Sequence, residues 1–590
     1  MGEESRMGEM LQTGEERRGR LHREPGGLEE RPPDFNTLTC RRWFRRIMKY
    51  LNHRKSVAAI HWEGNMSRRR YSKYLASLGT SIVLLSLLVN SARAAAGDTT
   101  RVSVSSDGTE GNAESGYASI SNNGRYVAFE SLASNLESGD TNGFLDIFVH
   151  NQLTGETALV SVASDGTQGN QGSGEPSISA DGRYVAFMSY ASNLVSGDTN
   201  DNPDIFVHDQ LTGETTIVSV ASDGTQANNN SDWLSISADG RYVAFQSYAS
   251  NLVSGDTNQS YDIFVHDRQT EQTTRVSVAS DGTQGNDHSQ VPSLSADGRY
   301  VAFDSAASNL VSGDTNNNPD IFVHDRQTGE TTLVSVASDG TQGNGGSADF
   351  PSISADGRYV GFSSHASNLV SGDTNGITDI FIHDRLTGET TLASVASDGT
   401  QGNAISNNQF ISADGRYVAF MSNASNLVSG DTNGTEDIFV HNRQTGETKL
   451  ASISSNGTGG NSSSRYPTIS ANGRYVAFLS GASNLVSGDT NDRNDVFVHE
   501  NDIPNCIISG NAGMANATLS FDDGGPQTVT AYSNGYYFLE VSNNWSGSVT
   551  PYKTSYTFTP GHREYTNVIN DQIAQDYLAI PWIYMPLISK

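Results

Sequence analysis

Cysteine is almost absent from this chain of 590 residues, where only Cys40 and Cys506 occur. Two cysteines exclude a disulfide framework, so the fold must be held by its own core or by ions. Lysine and arginine are scarce as well, 37 in all against 66 Asp plus Glu, for a formal charge of −29. The imbalance is also uneven. Residues 1–96 carry 18 Lys or Arg and 10 Asp or Glu, which leaves 19 and 56 for the rest of the chain. Nucleic-acid affinity comes chiefly from Lys and Arg displacing counterions, so DNA, RNA and anionic lipid are poor partners for such a surface. Long hydrophobic runs are missing too. The one extended apolar stretch, Tyr74–Val89, falls short of the roughly 20 residues that a membrane span needs. What the chain has in quantity is glycine, 59 residues, which marks it as rich in turns.

That apolar stretch follows Met66-Ser-Arg-Arg-Arg-Tyr-Ser-Lys and precedes Asn90-Ser-Ala-Arg-Ala-Ala-Ala-Gly. A basic start, a short apolar middle and small residues at the end make residues 66–96 a secretory signal peptide, with cleavage after Ala94 or Ala96. The mature chain is then exported, to the periplasm, the cell surface or the medium, and has no membrane span. Ser67–Lys73 also resembles a twin-arginine export motif, with Ser72 where that motif prefers Leu. Residues 1–65 stand ahead of a segment that belongs at an N-terminus, and are expected to be a non-native extension of a chain whose translation begins at Met66. After processing, Cys506 alone remains.

Self-similarity dominates the remainder. Gly-Arg-Tyr-Val-Ala/Gly-Phe begins at Gly124, Gly182, Gly240, Gly298, Gly357, Gly415 and Gly473, at spacings of 58 residues with a single 59. Each copy is followed 22 residues later by Asp-Ile/Val-Phe-Val/Ile-His. In the second copy, turn signals divide the unit into strand A (176–179), strand B (183–189), strand C (204–208) and strand D (214–221). Strands B and C are nearly continuous apolar runs, as strands covered on both faces are. Four-stranded sheets packed face to face around an axis, a β-propeller, supply that cover. The ends of the array favour a closed ring over a linear solenoid. The seventh unit lacks a strand D, whereas Thr100–Gly108 is a strand D with no unit before it. Lending the first strand to the last blade removes both exposed edges.

Ser-Ile-Ser-Ala-Asp-Gly-Arg-Tyr-Val-Ala-Phe followed by Asp-Ile-Phe-Val-His-Asp resembles the TolB-like, WD-type propeller repeat, and the resemblance covers residues 98–501. It implies an all-β fold, a seven-bladed propeller closed by an N-terminal strand. The chain departs from the family in having Ala or Asn, not Pro, before Asp/Asn-Gly. Beyond the repeats, residues 505–579 read as a small β-sandwich with strands at 507–510, 517–521, 527–531, 536–541, 547–551 and 556–558. Gly-Asn-Ala, Ala-Thr-Leu-Ser and Ser533–Phe538 resemble carboxypeptidase-regulatory-like modules of bacterial surface proteins, which implies stalk or adhesion roles. Residues 580–590 form an apolar tail, either a last strand or a surface-retention signal.

Three sets of repeated positions bear on function. Tyr117, Glu175, Trp233, Val291, Phe350, Asn408 and Tyr466 align just before strand A, at the mouth of the channel, and just after strand B come Leu132, Tyr190, Tyr248, Ala306, His365, Asn423 and Gly481. These positions vary on a face whose opposite turns are nearly constant. Amphipathic rings at a concave mouth suit stacking on sugars or gripping extended peptides, and equally suit filling gaps between blades. The binding candidates are therefore Tyr117, Glu175, Trp233, Phe350, Asn408, Tyr466, Tyr190, Tyr248 and His365. Second, Asp-Thr-Asn-x-x-x-Asp recurs in every blade, as in Asp140, Asn142, Asp146 and Asp198, Asn200, Asp204. Oxygen ligands so spaced could hold calcium, or could cap their own turn. No other cofactor is implied. Third, a histidine ends strand C in each blade, from His150 to His499, with no partner at metal-ligand spacing, and is expected to be structural at the sheet surface. No unique catalytic constellation stands out, although Glu175, Asp232 and His365 would be candidates if they converged. The expectation is a monomeric, non-enzymatic binding propeller for extracellular or envelope protein or polysaccharide. The alternatives are a lyase or glycosidase acting on an extracellular polymer, and a structural surface element without a discrete ligand.

Overall fold

The computed structural model describes residues 97–503, 506–523, 525–531, 535–542, 545–568, 572 and 575–581. The expected extension over 1–65, the signal peptide over 66–96 and residues 582–590 of the tail lie outside the described residues. No described helix is long and apolar enough to cross a membrane.

Residues 97–503 form seven four-stranded antiparallel sheets, one per repeat, each running A-B-C-D from strand to neighbouring strand. In blade 2 these are Ser173–Ile178, Tyr184–Ser189, Asp204–Asp209 and Glu214–Ile217. Blade 7 takes its outer strand from the start of the array: Thr99–Arg101 pairs antiparallel with Asp495–Glu500, Thr99 opposite His499. The expected closure is thus made by three residues, fewer than the 100–108 segment suggested. Outer strands are short throughout, because the chain leaves the sheet to bridge back on itself around the next Asp-Gly turn, as at Val220 and Gln226.

The apolar runs of strands B and C explain the packing between blades. On one face Phe187 and Phe206 stack across the strand pair with ring centroids 6.0 Å apart, and the pattern recurs in all seven blades. Those rings press on Ala128, Ile147 and Val149 of the preceding blade to form one shared core. Each blade therefore completes its neighbour's core rather than owning one. The strand C histidines belong to the same interface. They are buried, not at the sheet surface as expected. His208 Nδ1 lies 2.9 Å from the Thr215 hydroxyl, which donates onward to the carbonyl of Val162 in the preceding blade. A hydroxyl whose proton is so committed must accept from His208, which fixes the Nδ1–H tautomer.

Two contacts near the axis set the angle between blades. At the A–B turns the backbone N–H of Asn122 donates to the Ala180 carbonyl, Ala180 to Ala238, Ala238 to Ala296, Ala296 to Ala355, Ala355 to Ala413, Ala413 to Ala471, and Ala471 back to Asn122, all at 2.9–3.1 Å. This is a closed ring of seven hydrogen bonds, one per blade. Beside it the glycine of each turn rests on the tyrosine of the preceding blade, Gly298 on Tyr242 for example, with φ of +67°. A Cβ there would overlap the ring in a backbone conformation that disfavours side chains.

Strand A begins earlier than expected and holds a β-bulge in every blade, as between Asp232 and Leu234. Four of the seven bulges precede a proline (Pro176, Pro292, Pro351 and Pro467), which has no N–H for the ladder. The single extra residue of blade 5 is taken up in this bulge, within Ser347–Ile353, rather than in a loop.

Beyond the propeller, the six expected strands form and two more join them, Arg563–Val568 and Leu578–Pro581. They make a two-stranded, a four-stranded and a second two-stranded sheet. One core is shared by Ile508, Leu519, Tyr537, Leu539 and Val549 among others. Cys506 is buried in it.

Replacing Gly298 by Ala is expected to destabilise the propeller by about 3 kcal/mol, the scale of an overpacked, positive-φ site. The midpoint of urea unfolding measures this, and Gly213→Ala, where a Cβ meets nothing within 4 Å, is the control for backbone strain alone.

Candidate functional site

The bulge gives strand A its functional geometry. Tyr117, Glu175, Trp233, Val291, Phe350, Asn408 and Tyr466 are the bulged residues, with φ between +26° and +56° although none is glycine. They lie inside the strand, not before it as the sequence suggested. All seven line a single cavity of about 160 Å³ on the axis, with Pro176, Ser177, Ser235 and Phe410 among its other walls. The four aromatic residues come from blades 1, 3, 5 and 7 and form a continuous chain of contacts. Tyr466 stacks on Tyr117 at 4.4 Å, Tyr117 meets Trp233 edge-on at 6.2 Å, and Trp233 meets Phe350 edge-on at 4.9 Å.

Acidic side chains from the neighbouring strands hold the bulges in place. Glu130, on strand B of blade 1, accepts the Glu175 backbone N–H at 3.2 Å, and Glu175 accepts that of Trp233 at 2.6 Å. Gln246 serves Val291 in the same way, at 3.0 Å, while donating to Asp232. Burial pushes the Glu175 carboxyl up to about 8, with Asp232 and Glu130 adding like-charge repulsion. It pushes Glu130 up to about 7, and raises Asp232 as well. At neutral pH Glu175 is therefore largely a neutral acid inside an aromatic cavity.

The other candidates stand outside this cavity. Tyr190 and Tyr248 are 52% and 38% exposed, and His365 bonds the Thr378 hydroxyl at 2.9 Å. Glu175 and Asp232 are neighbours, so of the three acid/base candidates His365 is the one that does not join the others. Tyr248 belongs to an aromatic group the sequence reading missed: Tyr261 lies edge-on at 5.2 Å, and His288 accepts the Tyr261 N–H at 2.9 Å. Glu130 was missed too. Tyr261 and His288 occupy variable positions in adjacent loops, so aligning every loop position would have found them.

The recurring carboxylates are placed differently. Asp140, Asn142 and Asp146 converge, as do Asp198, Asn200 and Asp204, but an amide stands between the acids. Gln168 Nε2 donates to Asp140 at 2.8 Å and to Asp146 at 3.0 Å, and Gln226 does the same for Asp198 and Asp204. Burial raises Asp146 and Asp204 to about 6. The arrangement repeats in five blades. A calcium ion there would have to displace the amide that both carboxylates already use. In blade 7 Glu110 takes the Gln position beside Asp489 and Asp495, and Arg101 sits among the three. In blade 6 the position is Gly459, and Asp431 Oδ1 is buried without a partner.

No family model and no curated protein matches the sequence. Solved structures similar to the chain include an oligogalacturonate lyase from Vibrio parahaemolyticus, with 11% identity and a TM-score of 0.42 over 69% of this chain and 93% of that one. TolB from Acinetobacter baumannii has 15% identity and a TM-score of 0.32 over 61% and 76%. The β-propeller domain of the Trilobed protease from Pyrococcus furiosus has 13% and 0.39 over 65% and 95%.

Gln226→Ala is expected to cost about 1–3 kcal/mol, the penalty for leaving buried acceptors unmet, read as a lower melting temperature. Millimolar calcium should leave the wild-type melting curve where a chelator leaves it. Glu175 yields a pH prediction. A carboxyl whose folded pKa of about 8 exceeds its ordinary 4.5 holds a proton that the unfolded chain has lost, so its contribution falls as pH rises from about 4.5 to 8. Glu175→Gln should therefore gain stability relative to wild type across that window, measured as urea midpoints at pH 5 and pH 8.5. A constant difference would show that Glu175 does not titrate there. The described residues are all-β, and residues 97–503 among them form a closed seven-bladed β-propeller.

Proposed function

We propose that the mature chain is an exported, non-enzymatic binding propeller that engages an extracellular or envelope protein or polysaccharide through the face bearing its D–A and B–C loops. One observation carries this reading. Seven of the positions that vary between otherwise repeated blades are turned by the bulge into the axial cavity, where the rings of Tyr117, Trp233, Phe350 and Tyr466 meet. Where the scaffold is constant the residues hold the ring together, and where it varies they are free to define a ligand. Exposed Tyr248, with half-buried Tyr261 and His288, forms a second aromatic group on blades 3 and 4. Rigid aromatic side chains cost little entropy to fix and dominate binding energy at such sites.

A second reading has its own support. Glu130 and Glu175 are half-buried carboxyls linked through the Glu175 backbone, both with raised affinity for protons. A carboxylic acid kept neutral near pH 7 is what a general acid requires, so an enzyme that cleaves a bound polymer is the alternative.

Trp233→Ala is expected to reduce binding about tenfold or more on a combined glycan and peptide array, with an unchanged far-ultraviolet circular dichroism spectrum. Array binding that ignores Trp233 would remove the channel from the reading. Release of shortened products from the bound polymer, lost in Glu175→Gln, would favour the enzyme.

A further inference from the structure

The chemistry of the cavity is more specific than an apolar mouth. Its lining offers five aromatic rings, those of Tyr117, Trp233, Phe350, Phe410 and Tyr466, with one amide and one ionisable carboxyl, Glu175, and among the described lining residues there is no Lys, Arg or His. Glu130 and Asp232 pack behind it, each hydrogen-bonded to the strand A bulges or to Gln246. Three acids held this close beside aromatic rings repel an anion and leave a neutral apolar guest with no use for them. The volume sets a second limit. A cavity of about 160 Å³ matches the roughly 150 Å³ that holds a benzene-sized guest, so a small organic head group fits it. Residues 97–590 carry 19 Lys or Arg against 56 Asp or Glu, an acidic excess that draws cations towards the protein.

We propose that the axial cavity is a cage for an organic ammonium head group, with Tyr117, Trp233, Phe350 and Tyr466 supplying ring quadrupoles and Glu175 the counter-charge. The proposal rests on the reading of the channel as the binding site and names the chemistry of what enters it. The head group could be that of a small quaternary amine or a methylated lysine side chain on a peptide. Both present the same soft, weakly hydrated cation. Binding ionises Glu175, so it releases a proton below pH 8. The groups facing Glu175 are Glu130 on strand B of blade 1, Asp232 on strand A of blade 3, and the phenol of Tyr117. All are neutral or negative, so none competes with the cation.

Isothermal titration of the full-length protein with choline and with its uncharged isostere, 3,3-dimethylbutan-1-ol, tests this. Choline is expected to bind about tenfold more tightly than the alcohol, and more tightly at pH 8 than at pH 6. Glu175→Gln keeps an acceptor for the Trp233 N–H and should remove the preference for choline without weakening the alcohol. Phe350→Leu should weaken choline several-fold and serves if the first variant does not fold. A peptide bearing trimethyl-lysine that binds more tightly than choline identifies the source as protein, and equal affinity identifies a free amine. Equal affinities for choline and the alcohol, a choline affinity untouched by Glu175→Gln, or no binding of either probe overturns the ammonium cage. Trp233-dependent array binding that persists in any of those cases leaves the channel itself standing as a polymer site.

Discussion

The contact between the A–B turn of one blade and the tyrosine of the blade before it constrains everything else in the propeller. Gly124, Gly182, Gly240, Gly298, Gly357, Gly415 and Gly473 each place backbone against a tyrosine ring where no side chain could stand. The ring of seven hydrogen bonds beside them closes only if the seven steps sum to a full turn. One blade set at a wrong angle would open a bond somewhere on the circle. A linear array of repeats can tolerate drift, but a closed one cannot. That demand accounts for spacings of 58 residues with one exception. The exception is absorbed at the bulge of blade 5, where the ladder is already interrupted.

The same interface explains where the charge goes. Arg183 clasps Asp209 through two hydrogen bonds and lies over Tyr184, and Arg268 from the following blade covers that same ring. The pairing holds Asp209 far below the usual carboxylate range. Equivalent stacks join blades 3 to 6. The few cations of the repeats are thus spent between blades, while turn aspartates such as Asp223 cap exposed Thr-Gln segments. Acidity at the surface is a consequence of turn chemistry multiplied around the ring, and a negative exterior is what remains once the arginines are committed.

Much of this was legible. Repeat length, the four-strand parse and the complementary ends of the array lead directly to the closed ring, because turn residues and apolar runs act locally. What acts across distance was not. Gln168 reaches acids 22 and 28 residues away, so the amide that fills the carboxylate pair has no local signature, and a cation looked equally suitable there. The histidines follow an apolar run and read as the start of a surface, whereas the neighbouring blade covers them. The bulge was hidden for a different reason. Glycine usually announces a positive φ, yet Trp233 and Phe350 adopt one because side-chain acceptors and the following residue impose it. The site residues were still found, since variation within a constant frame needs no knowledge of the bulge that aims them.

The arrangement of rings in the channel follows from the number of blades. Seven large side chains cannot meet on one axis at interior packing density, so bulky and smaller residues must alternate. They do: Tyr117, Trp233 and Phe350 are separated by Glu175 and Val291, and Phe350 from Tyr466 by Asn408. An odd ring cannot alternate all the way round. Two bulky residues must become neighbours once, and the place is the seam between blades 7 and 1, where Tyr466 and Tyr117 stack at 4.4 Å with their planes 29° apart. The hydrogen-bonded closure itself lies inside blade 7, where Thr99–Arg101 pairs with Asp495–Glu500 before the chain runs on into blade 1. The stacked pair fixes one wall of the cavity, and Glu175, which accepts the Trp233 N–H, is the one carboxyl that the alternation admits among the described lining residues.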